Sequence, residues 1–197
     1  MSLGVMTHQS QTFASKVQKY TEQLREGDIH SLSGLFDITG ARLLRYATGI
    51  VGNQHDGEDI VQLVLTKLAT NHHVIVDRTC AWAYLLRMTR NEAIDFLRCR
   101  ERYVTTHQLA RSQSLTPSKT KSGDEAKQQL WCAINRLPRK QREVLLLKIW
   151  EQMTFEELAG VLDISPATAA SRYRYALGKL RQMIATNSNE GIAHEVR

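Results

Sequence analysis

The sequence predicts an all-α protein: two small helical domains joined by a flexible linker, the C-terminal one a helix-turn-helix. Three observations carry this. The chain is rich in Leu, Ala, Arg, Gln and Glu and has only three prolines in 197 residues, a mixture that favours helices. No alternating apolar and polar run competes as a strand. Residues 103–124 (YVTTHQLARSQSLTPSKTKSGD) break the helical pattern with Ser, Thr, Gln and Lys. They hold too few large apolar groups to offset the entropy of ordering.

Taken in order, residues 1–19 read as a loose polar lead-in, and helical periodicity then covers most of residues 20–102. Within that block, Asp56, Glu58 and Asp59 open a helix with acids in its first turn, where the positive end of the helix dipole favours them. Ile60, Val61, Val64, Leu65 and Leu68 form its buried stripe, while Asp59, Gln62, Leu63 and Thr66 line the other side. Such an acidic, partly apolar face repels phosphates and suits a basic protein partner. Taken without other context, the same acids read first as ordinary helix-start residues. A longer helix follows over residues 81–102. Trp82, Leu85, Leu86, Ala93, Phe96 and Leu97 share its inner face; Tyr84, Arg87, Asn91, Asp95, Arg98 and Arg102 form the outer stripe. Arginines, an amide and an aromatic on one accessible face are suited to backbone contact and base stacking. An Asp95–Arg98 surface ion pair is the plainer reading of that part of the stripe.

The block over residues 125–185 contains a helix from about 124 to 136, stopped at Leu137-Pro138, and a second from about 139 to 150. A third opens with a capping box, Thr154 and Glu157 three residues apart. Phe155, Leu158, Ala159 and Leu162 then recur at helical spacing. After a short break at residues 162–165, Ser165 is a fitting N-cap and Pro166 a fitting first helical residue. Two short helices joined so tightly cross steeply, which is helix-turn-helix geometry. Asp163 stands where such turns often carry glycine, and Asp tolerates left-handed backbone. The last helix is read from Pro166 to about Met183, followed by a polar tail (TNSNEGIAHEVR). Ala169, Tyr173, Ala176, Leu177 and Leu180 fall on its packed side. Ala167, Thr168, Ser171, Arg174 and Tyr175 face outward, with Arg172 on the flank. From Ser165 to Gln182 the helix carries Arg172, Arg174, Lys179 and Arg181 and no acid. Small, hydroxyl and arginine side chains on an exposed helix suit the major groove.

Composition agrees with this. Apolar residues at 42% and charged residues at 23% are in the globular range. A net charge of +6 with a pI near 9.4 fits a polyanionic partner. Cys80, Cys99 and Cys132 are odd in number and form no CxxC pair, so reduced thiols in a cytoplasmic protein are expected. The first residues lack a basic start followed by an apolar run, so no signal peptide and no membrane insertion are expected. No P-loop, GxGxxG, HExxH or GxSxG pattern occurs. His72-His73 with Cys80 completes no tetrahedral ligand set. The expectation is a binding protein without cofactor, metal or catalytic residues.

The run LPRKQREVLLLKIWEQMTFEELAGVLDISPATAASRYRYALGKLR resembles region four of bacterial sigma factors, particularly the extracytoplasmic-function group. The resemblance implies that this domain binds the minus-thirty-five promoter element. Ser171 and Arg174 would face bases, with Ser165, Thr168, Arg172 and Tyr175 in the same interface. DGEDIVQLVLTKL is similar to the region-two helix that docks on the β′ coiled coil of core RNA polymerase, which assigns Asp56, Glu58, Asp59, Gln62 and Leu63 to that contact. AWAYLLRMTRNEAIDFLR resembles the helix of minus-ten recognition and melting, which assigns Tyr84, Arg87, Asn91, Asp95 and Arg98. The loop over residues 71–79 corresponds to the segment that captures a flipped minus-ten base. The resemblance further implies contact with the polymerase β flap and an anti-sigma partner. This chain departs from the common pattern at Leu63, where an acid is frequent, and at Ala170 and Tyr175, where basic residues are frequent. A stand-alone dimeric helix-turn-helix regulator is the alternative, and predicts a dimer surface or ligand pocket in residues 20–102. A degenerate sigma-like module that binds a partner without starting transcription is the third reading.

Overall fold

In the computed structural model every regular element among the described residues is a helix. The structure describes the backbone of residues 3–71, 80–107 and 125–193, and the side chains of residues 13–71, 80–103 and 130–184. The chain divides into two compact units, residues 1–112 and 113–197.

The first unit comprises α1 (Leu3–Arg25), α2 (Ser31–Val51), α3 (Gln54–Thr70) and α4 (Ala81–His107). The central helix is α2, which packs on the other three. Its buried Leu35, Leu43, Tyr46 and Ile50 share a core with Leu24 of α1, Val64 and Leu68 of α3, and Leu85 and Leu86 of α4. Each such side chain contributes about 1.5–3 kcal/mol on burial. The turn from α2 to α3 is made by Gly52 and Asn53. Gly52 takes φ 81° and donates to the Thr48 carbonyl at 2.7 Å, a left-handed cap that a Cβ would strain. The Asn53 side chain accepts from the amides of His55 and Asp56 at 2.8 and 3.3 Å, so the first turn of α3 is satisfied locally.

Where α3 approaches α2, a Cβ on Gly57 would lie 2.5 Å from Thr48 Oγ1 and 3.0 Å from the Thr48 backbone nitrogen. Gly57→Ala is therefore expected to destabilise the first unit by about 1–3 kcal/mol. Calorimetry of the full chain checks this; an unshifted transition would mean that the two helices separate at no cost.

The predicted lead-in is instead most of a helix. Residues 1–19 read as loose because polar residues dominate them, yet Phe13, Val17, Thr21 and Leu24 recur at helical spacing. Val17 and Leu24 are fully buried, and the buried Thr21 hydroxyl donates to the Val17 carbonyl at 2.9 Å. Two aromatic contacts fix α1 in place. The Tyr20 ring fills the space beside Gly34 of α2, where a Cβ would come within 2.4 Å of it. The Phe13 ring meets Trp82 of α4 edge-on, with centroids 5.1 Å apart.

The second unit comprises α5 (Glu125–Asn135), α6 (Arg139–Trp150), α7 (Phe155–Leu162) and α8 (Pro166–Ala193). Val144, Leu145 and Leu147 of α6, Leu158 and Leu162 of α7, and Ala169, Ala176 and Leu180 of α8 make its core. Trp131 stacks on Trp150 with centroids 5.5 Å apart, joining α5 to the end of α6. Arg142 Nη1 donates to the Asn135 carbonyl at 3.0 Å, satisfying the end of α5. Burial pushes the Arg142 guanidinium below its ordinary pKa.

Two helices outrun their predicted ends. Residues 103–107, read as the start of the linker, belong to α4, and the polar tail continues α8 to Ala193. Neither stretch holds a proline, and the only glycine, Gly191, lies at the very end. Weak helix formers such as Thr, Asn and Ser lengthen a helix once it is nucleated. The rest of the expected linker, residues 108–124, and the loop residues 72–79 lie outside the described residues.

Candidate nucleic-acid interface

The capping box that opens α7 is complete. Glu157 N–H donates to Thr154 Oγ1 at 3.2 Å, and Thr154 N–H donates to Glu157 Oε2 at 2.7 Å. Three residues, Asp163 to Ser165, then separate α7 from α8. Asp163 has φ 56° and ψ 55°, so it supplies the left-handed residue that the turn needs. The Ile164 amide donates to the Ala159 carbonyl at 3.1 Å. Ser165 Oγ accepts from the Thr168 amide at 3.1 Å and shares a 2.8 Å hydrogen bond with the Thr168 hydroxyl. Asp163→Val is expected to cost about 1–2 kcal/mol, the price of a Cβ-branched left-handed residue, whereas Asp163→Gly should be tolerated. Thermal melts of both variants check this, and equal melts would mean that the turn relaxes.

Burial on α8 follows the predicted faces. Ala169 and Ala176 are fully buried and Leu180 nearly so; Tyr173 is half-buried and meets Phe155 edge-on at 5.9 Å. Lys148 braces the same corner, donating to the Met153 carbonyl at 2.7 Å and lying 4.7 Å above the Phe155 ring. On the opposite side Ala167, Arg174 and Tyr175 are exposed, with Tyr175 at 63%. Ser171, Thr168 and Arg172 are half-exposed. The Ser165 and Thr168 hydroxyls are already engaged with each other, so they shape the helix start as well as facing outward. Arg174 makes no hydrogen bond or ion pair among the described residues, which leaves its guanidinium donors available.

In the first unit, α4 buries Trp82, Leu85, Leu86 and Ala93; Phe96 and Leu97, expected with them, are only half-buried. Arg87, Asn91, Asp95, Arg98 and Arg102 are all exposed, and Tyr84 is half-buried. Burial raises the Tyr84 hydroxyl above its ordinary pKa, so it stays a neutral donor. Asp95 and Arg98 pair at 3.2 Å in the open, a contact worth a few tenths of a kcal/mol. On α3, Glu58, Asp59, Gln62 and Leu63 are exposed, Leu63 at 45%. Glu58 accepts from Gln54 at 2.9 Å.

Asp56 is placed differently from its neighbours. Its carboxylate accepts from Arg100 at 3.3 Å, with both side chains partly buried. On the same flank of α3, Lys67 pairs with Glu92. These two pairs clip α3 to α4 on either side of the exposed Leu63. Sequence reading missed both, because their partners lie far along the chain.

The segments that carry these faces match two family models: "Sigma-70 region 2" over residues 35–103 and "Sigma-70, region 4" over residues 127–180. The RNA polymerase sigma-E factor of Streptomyces antibioticus is 31% identical over 173 residues, covering 87% of this chain and 94% of that one. The chain belongs to the extracytoplasmic-function sigma factors. The sigma-E factor of Streptomyces coelicolor is 32% identical over 78% of this chain and 85% of its own length. A solved structure of the Bartonella quintana sigma factor RpoE with the anti-sigma factor NepR has the same fold, with a TM-score of 0.66 at 23% identity over 78% of this chain and 96% of that one.

As a sigma factor the protein binds RNA polymerase and directs promoter recognition, and the stand-alone regulator reading gives way. Its work is binding, with no covalent step of its own. No helix among the described residues is long and apolar enough to cross a membrane.

Proposed function

We propose that this sigma factor grips its promoter with two faces and core polymerase with a third. The exposed side of α8 lies in the major groove of the minus-thirty-five element, Ser171 and Arg174 toward base edges and Thr168 and Arg172 toward the backbone. The outer stripe of α4, from Tyr84 through Arg87, Asn91 and Asp95 to Arg98, takes the minus-ten element and its separated strands. Asp59, Gln62 and Leu63 of α3 dock on the β′ coiled coil, with Glu58 on the flank of that face and Asp56 holding the helix to Arg100. Residues 20–102 and 125–185 carry these tasks, and the second unit also meets the β flap.

The observation that carries this reading is the outer face of α8. It follows a fully capped α7 and an aspartate-made turn, it bears only basic charge from Ser165 to Gln182, and Arg174 is unengaged among the described residues. An anti-sigma partner that masks these faces is a further part of the reading, supported by the likeness to a sigma factor solved with its anti-sigma factor. The protein would then act in the cytoplasm beside the polymerase.

Run-off transcription with core polymerase on a genomic template library tests the reading. Discrete start sites sharing two spaced elements are expected. No promoter-specific initiation from core that still elongates would overturn it. Core binding with no initiation at any promoter would favour a sigma-like partner module.

A further inference from the structure

We propose that Phe13 and Arg42 are positioning residues for promoter opening, acting through Trp82 on the first turns of α4. The inference rests on the reading of α4 as the helix that takes the minus-ten element. Three helices meet at this point. The Arg42 guanidinium of α2 lies 4.0 Å from the centre of the Phe13 ring of α1 and 5.3 Å from that of Trp82 in α4. The two rings themselves are 5.1 Å apart and nearly perpendicular, at 87°. Trp82 is 6% exposed.

Apolar packing alone does not call for this arrangement. A leucine or methionine on α2 would fill the space between two rings with no charge to desolvate. A planar cation against two ring faces has a preferred direction as well as a preferred distance, and perpendicular rings add a directional preference of their own. The cluster therefore resists rotation of the helix that carries Trp82. That residue is the second of α4, and Tyr84 and Arg87 stand two and five residues beyond it. A rotation at Trp82 would swing both away from the outward direction that the stripe requires. Arg42 and Trp82 fall within the stretch matched by sigma-70 region 2, but Phe13 precedes it. The long α1 thus adds to the matched region a ring that holds α4 in rotation.

The test uses full-length variants bound to core polymerase on a duplex promoter found by run-off mapping. Permanganate reactivity reports strand opening, and core affinity and closed-complex formation are measured beside it. Phe13→Leu keeps apolar bulk and loses the ring. It is expected to slow opening about three- to thirtyfold, the range of a partly buried cation–π contact, with core affinity and closed complex within about twofold of the parent. Phe13→Tyr should restore opening. Arg42→Lys, which keeps the charge without the plane, should fall between, and decides the matter if Phe13→Leu does not fold. Opening at the parental rate in both Phe13→Leu and Arg42→Lys would overturn the proposal, as would losses shared equally by core affinity. Arg87→Ala separates this from the underlying reading. If it slows opening while Phe13→Leu does not, only the positioning role fails; if neither does, the assignment of α4 fails.

Discussion

Arg174→Ala is expected to weaken minus-thirty-five binding about 5–150-fold, corresponding to roughly 1–3 kcal/mol for a bidentate arginine–guanine contact. The effect should be large because the side chain starts from an unengaged state. Arg98 on α4 must first give up Asp95 at 3.2 Å; Arg174 has no such partner among the described residues. It also stands on a helix whose start is held by Pro166 and the Ser165 cap, so little ordering remains to be done on contact. The loss should depend on sequence: the variant discriminates less among minus-thirty-five mutants at one base pair and equally well at the others. Lys179→Ala, which removes an exposed cation from the same helix, should lower affinity for all sequences alike and reduce the salt slope by about one. Binding titrations of both variants with a mutant promoter panel at several salt concentrations check this. Equal sequence dependence in Arg174→Ala and the parent protein would move base reading elsewhere on α8.

Tyr175 makes that panel informative for a second reason. It is among the most exposed large apolar side chains described in the second unit, at 63%. A phenol contributes an apolar ring and a hydroxyl but releases no counterion. The parent protein should therefore show a shallower salt dependence than Tyr175→Arg by about one phosphate equivalent.

The parts of this molecule that were legible in the sequence are those stabilised locally. Thr154, Glu157, Asp163, Ser165 and Pro166 lie within thirteen residues and build the α7–α8 corner through bonds to near neighbours. Periodicity likewise separated the faces of α4 and α8, since one apolar stripe in each meets a core. The illegible parts depend on distant partners. The α1 stripe is sparse, and Phe13 gains its place from Trp82 and Arg42, neither nearby in sequence. Asp56 looked like one more acid on a docking face; Arg100, 44 residues on, draws it inward. The overrun of α4 and α8 has another cause. Neither end carries a stop signal strong enough to halt a helix already formed, and polar composition by itself does not end one.

Leu158→Ala is expected to destabilise the second unit by about 2–5 kcal/mol. Leu158 is fully buried in the middle of α7, a helix of eight residues that is too short to stand by itself. Its cap fixes where α7 begins, but the helix is held to α6 and α8 chiefly by Leu158, Ala159, Val161 and Leu162. A unit of this size buries a modest fraction of its surface and has little stability in reserve. Removal of three carbons from its centre should therefore unfold much of the population near physiological temperature. The first unit has its own core and should keep its transition. The full-length variant would then still bind core polymerase through α3 while losing minus-thirty-five contact, so that promoters relying on both elements fall silent. Calorimetry should show one transition shifted down or lost beside one unchanged, and polymerase pull-down should stay near parental strength. A single transition that falls as a whole would instead mean that the two units unfold together, and core binding would decline with it.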